Sequence, residues 1–255
     1  MAPELQQAPT MLGAIHIHST YSRDGRDTLP DLRRFAEDRG LGFLGLTDHA
    51  EDLDPAIFES FRQECAELSD ERVRLIPGLE YRFAGLKGMH LLALGLTRWI
   101  EPRTPQEFFD QAAGATGLTI AAHPVYPRYA YPDVVLERVD AIEVWNAAYN
   151  TRYLPDPRAI RLFRETRARR PELVAVIGLD QHDARNDRET RIEVLDPTDP
   201  LASIRAGRFT NVGRTMRLDP AVELGPVRRA ALWTARTIFD GIERLQERTA
   251  RAIRS

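Results

Sequence analysis

Two histidines stand either side of one isoleucine in "GAIHIHSTYSRDG", Gly13 to Gly25, and an aspartate follows them closely. Imidazole nitrogen and carboxylate oxygen are the donor set of catalytic zinc, manganese and iron sites, so the chemistry on offer is metal-assisted. The protein has six histidines, and the other four keep similar company. His49 ends "LTDH", His90 opens "HLLALG", His123 ends "IAAHP" and His182 follows "LVAVIGLD", whereas the arginine-rich C-terminal segment has none. Carboxylates occupy companion positions: Asp24 in "SRDG", Glu80 in "PGLEY" and Asp180 in "GLDQHD". A lone strand histidine is usually a satisfied core residue, but metal ligation accounts for all six together. Nine ligands are too many for one ion, so two or three divalent ions are expected, and three would use the whole set. Side chains at i and i+2 of a strand share a face, which lets His16 and His18 grip one ion while Ile17 packs the opposite way. Asp180 and His182 either follow the same rule or divide between adjacent ions. Cys65 is the only cysteine, so thiolate zinc sites and intrachain disulfides are excluded, and within "FRQECAELSD" it reads as a helix-core residue.

The elements that must position these ligands alternate. Short β-rich runs ("GAIHI", "GFLGLTDH", "VRLIPGLEY", "HLLALGL", "LTIAAHP", "AIEVWN", "LVAVIGLD") are interleaved with segments of helical period ("TLPDLRRFAEDRG", "DPAIFESFRQECAELSD", "TPQEFFDQAAGATG", "YPDVVLERV", "DPRAIRLFRETRARR"). This βα rhythm predicts an α/β barrel or a doubly wound sheet. No glycine-rich phosphate loop follows the first strand, which favours the barrel, and barrel active sites gather at the carboxyl ends of the strands. We expect a tail over residues 1–12, a catalytic domain over 13–213 and a helical extension over 214–255. In that extension Val227, Ala231, Ile238, Ile242, Leu245 and Ile253 recur at helical spacing. Such a stripe can pack on its own barrel, which is the commonest outcome, seal a homo-oligomer or touch a membrane.

With 255 residues, 43% hydrophobic and 29% charged, the chain has the composition of a globular protein with a sizeable core. A net charge of -3 supplies no global basic field, so nucleic acid as a partner has no support from charge. The opening residues lack the pattern of a secretory leader and no apolar run is long enough to span a bilayer, so no membrane partner and a cytoplasmic location are expected. Lys87 is the only lysine; the arginine excess suits bidentate phosphate pairing or reflects coding bias.

In the blocks "HIHSTYS" with Asp24, "LTDH", "PGLEY", "GMHLLALG", "AAHP" and "GLDQHD", the chain resembles the polymerase and histidinol phosphatase (PHP) domain family from Gly13 to about Arg208. One more residue separates His18 from Asp24 than in many stand-alone members. The resemblance implies a distorted barrel of seven βα units around a trinuclear metal centre. It also implies a ligand partition: His16, His18, Glu80 and Asp180 on the first ion; Glu80, His90 and His123 on the second; Asp24, His49 and His182 on the third. Many members are phosphoesterases.

Cations held by such a ligand set would lower the pKa of a coordinated water toward neutrality and offset charge on a phosphoryl group, which is chemistry suited to phosphate-ester hydrolysis. Glu80, Asp180 and His182 thus serve the reaction through the metals, and Asp183 could protonate the leaving group or support a ligand from behind. Arg23 and Arg128 are candidates to clamp phosphate oxygens, against the alternative of surface salt bridges. Asp48 could orient a ligand or cap the turn after its strand. Trp145 and Asn146 could line the substrate pocket, or be a core tryptophan and a turn asparagine. The expected activity is hydrolysis of a small phosphomonoester, a nucleotide or an oligonucleotide end. Alternatives are a metal-dependent hydrolase of a carboxylic ester, amide or carbamate, and a non-catalytic domain stabilised by its metals.

Overall fold

The computed structural model describes residues 10–149 and 153–254, with side chains as far as Ile242. The first half of the chain runs β1 (Met11–Ile17), α1 (Leu29–Asp38), β2 (Phe43–Leu46), β3 (Asp48–His49), α2 (Pro55–Leu68), β4 (Arg74–Ile76), β5 (Gly78–Arg82), β6 (His90–Leu94), α3 (Pro105–Ala112) and β7 (Leu118–Ala121). The second runs α4 (Asp133–Arg138), β8 (Ala141–Asn146), α5 (Pro157–Arg167), β9 (Val174–Gly178), β10 (Arg191–Val194), α6 (Pro200–Arg205), β11 (Phe209–Val212), β12 (Arg217–Leu218) and α7 (Pro226–Arg254). Local chemistry sets the helix starts. Thr28, Asp54, Thr104, Asp156 and Asp199 each accept a first-turn N–H through the side chain, and each is followed within two residues by proline. The side chain satisfies a donor the helix leaves orphaned, and proline lacks an N–H at a position where none is used.

The strands form two six-stranded sheets rather than one closed ring, in the orders β12-β11-β10-β1-β2-β4 and β3-β5-β6-β7-β8-β9. The expected seven-unit barrel is corrected to this extent: parallel βα pairing holds for β1-β2-β4, β3-β5 and β7-β8-β9, but β5-β6-β7 and β1-β10-β11-β12 pair antiparallel. "LTDH" and "RLIPGLEY" each hold two strands that pass from one sheet to the other, the second broken at Pro77, which has no N–H to give a ladder. Opposite that crossing, the sheets meet where β1 and β9 end. Leu179 N–H donates to Ile15 O at 3.0 Å, Gln181 N–H to His16 O at 3.2 Å, and His18 N–H to Gln181 O at 2.8 Å. Ile15, Leu44, Leu92, Ile120, Ile142 and Val176 are buried in the core around this seam.

Two boundaries differ from expectation. Met11 and Leu12 already belong to β1, while residues 1–9 of the expected tail lie outside the described residues. β12 pairs with β11 across position 213, so the sheet runs on into the segment expected to be a helical extension. In α7, Leu232 is buried, Arg161 stacks over Trp233 at 5.7 Å and Asp240 lies 3.6 Å from Arg158 of α5. Positions 232, 236 and 240 face the body, which turns the predicted stripe outward: Val227 is 80% exposed, Ile238 58% and Ile242 50%. Ala231 is exposed too, and the side chains of Leu245 and Ile253 lie outside the described residues.

Trp145 is fully buried, with its ring against Gly213. It therefore packs the core rather than the substrate pocket. Replacing it with alanine is expected to lower the unfolding free energy by about 3–5 kcal/mol, read from chemical denaturation.

Candidate metal centre

All six histidines and the three companion carboxylates converge at one place, with Glu80 at its middle. Glu80 Oε1 contacts His90 Nδ1 and lies 3.1 Å from His123 Nε2. Its Oε2 lies 3.2 Å from His49 Nδ1, 3.4 Å from His18 Nε2 and 3.6 Å from His16 Nε2. Asp180 Oδ1 is 3.5 Å from both His16 Nε2 and His18 Nε2 and 3.8 Å from His182 Nδ1. Asp24 Oδ2 is 3.3 Å from His49 Nε2 and 3.4 Å from His182 Nε2. Three groups have mutual ligand distances short enough to hold a cation: His18, Asp24, His49 and His182; His16, Glu80 and His123; and His16, His18 and Asp180. His90 adjoins the second group through Glu80. The Asp24 and His182 side chains are 54% and 32% exposed while the other ligands are buried, so the cluster opens on their side.

The backbone bends to achieve this. His16, His123 and Asp180 have positive φ, at 63°, 26° and 49°. Each such non-glycine residue costs roughly 1–3 kcal/mol and persists only where its surroundings fix it. At His16 the β1–β2 register slips by one residue, so the strand is bulged where the sequence suggested a plain alternation. His16 and His18 still meet, with ring centroids 5.4 Å apart, but through the bulge and not through a regular pleat. A second slip, between Glu143 and Trp145 in β8, sends the tryptophan to the core and returns Asn146 to the side of Glu143.

Glu143 is the residue that sequence reasoning missed. His16 Nδ1–H donates to its Oε1 at 2.7 Å, and the His123 backbone N–H donates to its Oε2 at 2.7 Å. The first bond fixes the tautomer and turns the Nε2 lone pair of His16 toward Glu80 and Asp180. Gly178 makes room for it, since a Cβ there would stand 1.9 Å from Glu143 Oε1. Asn146 Nδ2 bridges Glu143 and Asp180, at 3.0 and 3.2 Å, and its Oδ1 accepts from the backbone of Ala148 and Tyr149. A glutamate in the otherwise apolar run "AIEVW" was the available clue. Asp48 touches no imidazole. It accepts from the N–H and hydroxyl of both Ser19 and Ser22, and so orders the loop between His18 and Asp24. That loop closes tightly at Gly25, where a Cβ would meet Ser19 O at 1.9 Å.

Burial works against ionising Glu80, but hydrogen bonds from His123 and His90 and the nearby rings of His16 and His49 outweigh it and hold the carboxyl well below its ordinary range. Burial likewise opposes a charged His16, yet Glu143 and Asp180 hold its pKa well above the usual value. Carboxylates this deeply enclosed demand positive charge beside them, which imidazolium protons or metal ions can provide.

A sequence model of the PHP domain matches residues 14–143, half of the chain. The chain belongs to the PHP family. The chain is also similar to a probable histidinol-phosphatase of Thermotoga maritima, 29% identical over an alignment 143 positions long that covers 51% of this chain and 61% of the relative. Among solved structures it resembles a two-domain protein from Bacteroides vulgatus containing a predicted PHP-like metal-dependent phosphoesterase, with a TM-score of 0.58 and 20% identity over 84% of this chain and 67% of that one.

In this member of the PHP family the other candidate residues fall as follows. Arg23 is 84% exposed and its Nε donates to Asp52 at 2.5 Å, a surface pair beside the cluster rather than a group over it. Arg128 is exposed, with a positive φ of 54° and no ion-pair partner among the described residues. Asp183 accepts two hydrogen bonds from Arg185 Nε and one from its Nη2, and these hold its carboxyl at about 2. It is an anion at neutral pH, which speaks against a role as proton donor. Three further neighbours went unread in the sequence. Arg82, in register with His90 and two residues beyond Glu80 on the same face, brings Nη2 within 3.2 Å of His49 Nε2. Tyr126 and Tyr149 form a pair with ring centroids 5.0 Å apart, and Tyr149 lies 5.0 Å from His123.

Exchanging Glu143→Gln keeps the shape but removes the acceptor charge behind His16. Metal affinity measured by chelator competition is expected to fall about 10–100-fold with the fold intact. Because His16 must give up a proton to use its Nε2 lone pair, metal loading is expected to release protons and to tighten as pH rises, which calorimetry in buffers of different ionisation enthalpy will read.

Proposed function

We propose that the protein is a metal-dependent phosphoesterase acting on a small phosphate ester, with two or three zinc, manganese or iron ions. The observation that carries the metals is a set of buried nitrogens with no hydrogen-bond partner among the described residues: His16 Nε2, both ring nitrogens of His18, and His123 Nδ1. Burying polar atoms without partners is costly, and ligation of a cation by His16 Nε2 and His18 Nε2, which face Glu80 and Asp180, relieves it for those two atoms. Three ions would be held by His16, His18, Asp180 and Glu80; by Glu80, His90 and His123; and by Asp24, His49 and His182. When bound, they supply Lewis acidity and lower the pKa of a coordinated water.

The chain's own residues do the rest. Glu143 and Asn146 hold His16, the His123 backbone and Asp180 in place, and Asp48 holds the loop that presents Asp24. Arg82 suits a phosphoryl group. Its Nη2 lies 3.2 Å from the His49 nitrogen that a metal would take, so an anion on that metal is within reach of a guanidinium donor. Phosphate is favoured over a carbonyl substrate because the Arg82 guanidinium lies beside the cluster; the tyrosine pair at His123 is the feature that would serve a carbonyl ester instead.

The test is turnover of an aryl phosphate, a nucleotide panel and histidinol phosphate by protein loaded with manganese, iron or zinc. Hydrolysis of at least one is expected, and it should vanish in His123→Ala while circular dichroism stays unchanged. No turnover by the fully metallated protein would overturn the reading. Loss of folding without loss of specific activity in the folded fraction of His123→Ala would favour a structural metal site.

A further inference from the structure

Beside the open edge of the cluster lies a cavity of about 430 Å³, lined among others by Asp24, Asp180, His182, Asp183, Arg26 and Arg188. Its volume lies in the range of small-molecule sites, which is far more than a single phosphoryl group fills. The carboxylates on its wall are engaged chiefly by groups other than its two arginines. Asp24 and Asp180 face the histidines, and Asp183 is engaged by Arg185, at 2.7 Å from its Nη2. Arg26 is 70% exposed and reaches no carboxylate closer than Asp183, at 3.9 Å. Arg188 donates through Nη1 to the carbonyl of Ala147, has no ion-pair partner among the described residues, and is thereby tied to the turn that Asn146 braces. Two guanidiniums are left on the wall of a cavity whose other end is formed by metal ligands.

We infer that Arg26 and Arg188 receive a second anionic group of the substrate, so that the ester cleaved at the cluster carries a carboxylate or another phosphate on its leaving group. This rests on the phosphoesterase reading and adds the substrate class to it. The same guanidiniums oppose a cationic leaving group: an amino alcohol would bring its ammonium against them. No phenylalanine, tyrosine or tryptophan is among the residues lining this cavity, and Ala148, Leu179, Gln181 and Asn186 complete it. Charge is therefore the feature available for discrimination here, and guanidinium forks pair well with planar carboxylate and with phosphate.

The experiment compares binding of phenylphosphonate, 4-carboxyphenylphosphonate and 4-phosphonophenylphosphonate to manganese-loaded protein by calorimetry, alongside hydrolysis of the corresponding phosphates. Either doubly anionic compound is expected to bind about tenfold or more tightly than phenylphosphonate, the step one charge-assisted hydrogen bond supplies, and the stronger of the two identifies carboxylate or phosphate as the second group. In Arg26→Gln with Arg188→Lys, and in the exposed Arg26→Gln alone to a lesser degree, that advantage should shrink while phenylphosphonate affinity holds. Equal affinity for all three compounds, or an advantage untouched by both variants, would overturn the inference while leaving the phosphoesterase reading standing. Failure of all three to bind, together with no turnover, would overturn both.

Discussion

The burial of carboxylates among imidazoles at the strand ends constrains everything else in this protein. Glu80 sits almost wholly out of water, within 3.6 Å of ring nitrogens from His123, His49, His18 and His16 and in contact with His90. An arrangement of this kind is unstable unless positive charge joins it and the rings are held by partners on their far sides. Glu143 is such a partner for His16, and Gly178 exists in the form it does because Glu143 needs its space. The strained backbone at His16, His123 and Asp180 is the cost of bringing ligands from three different strands to one point, and the packed seam between β1 and β9 is what sustains it.

The two-sheet architecture follows from the same requirement. β3 and β5 set His49 and Glu80 directly opposite each other in parallel register, and β5 and β6 set Arg82 opposite His90 in antiparallel register. A ring of parallel strands would present every ligand from the same direction. The antiparallel return of β6 lets His90 enter from the start of its strand, while His49 enters from the end of β3 and His123 and Asp180 from the residues just after β7 and β9. One side of the cluster remains open at Asp24 and His182, and the arginine-bearing cavity adjoins that side.

Much of this was legible in the sequence. Each histidine could be placed at the edge of an apolar run, and helix starts such as Asp54-Pro55 and Thr104-Pro105 could be read because capping is a local interaction between near neighbours. The bulges at His16 and before Trp145 could not be read, since nothing in "GAIHI" or "AIEVWN" distinguishes a slipped register from a regular one without the partner strand. For the same reason the stripe of Val227, Ile238 and Ile242 looked like the buried face of α7. Spacing shows that a helix has an apolar side, but the contacts of Leu232 and the Arg158–Asp240 pair decide which side meets the protein.

By itself the sequence determined the inventory of candidate ligands, its order along the chain and the alternation that gathers it, because residue type and short-range periodicity are properties of the chain alone. Only the tertiary structure decided which groups stand behind the candidate ligands, that Asp48 serves the Ser19–Ser22 loop, and that the guanidiniums of Arg82, Arg26 and Arg188 lie against the cluster or the cavity beside it while that of Arg23 pairs with Asp52. Those outcomes depend on distances between segments far apart in sequence, and on competing partners such as Asp52, which draws Arg23 to the surface.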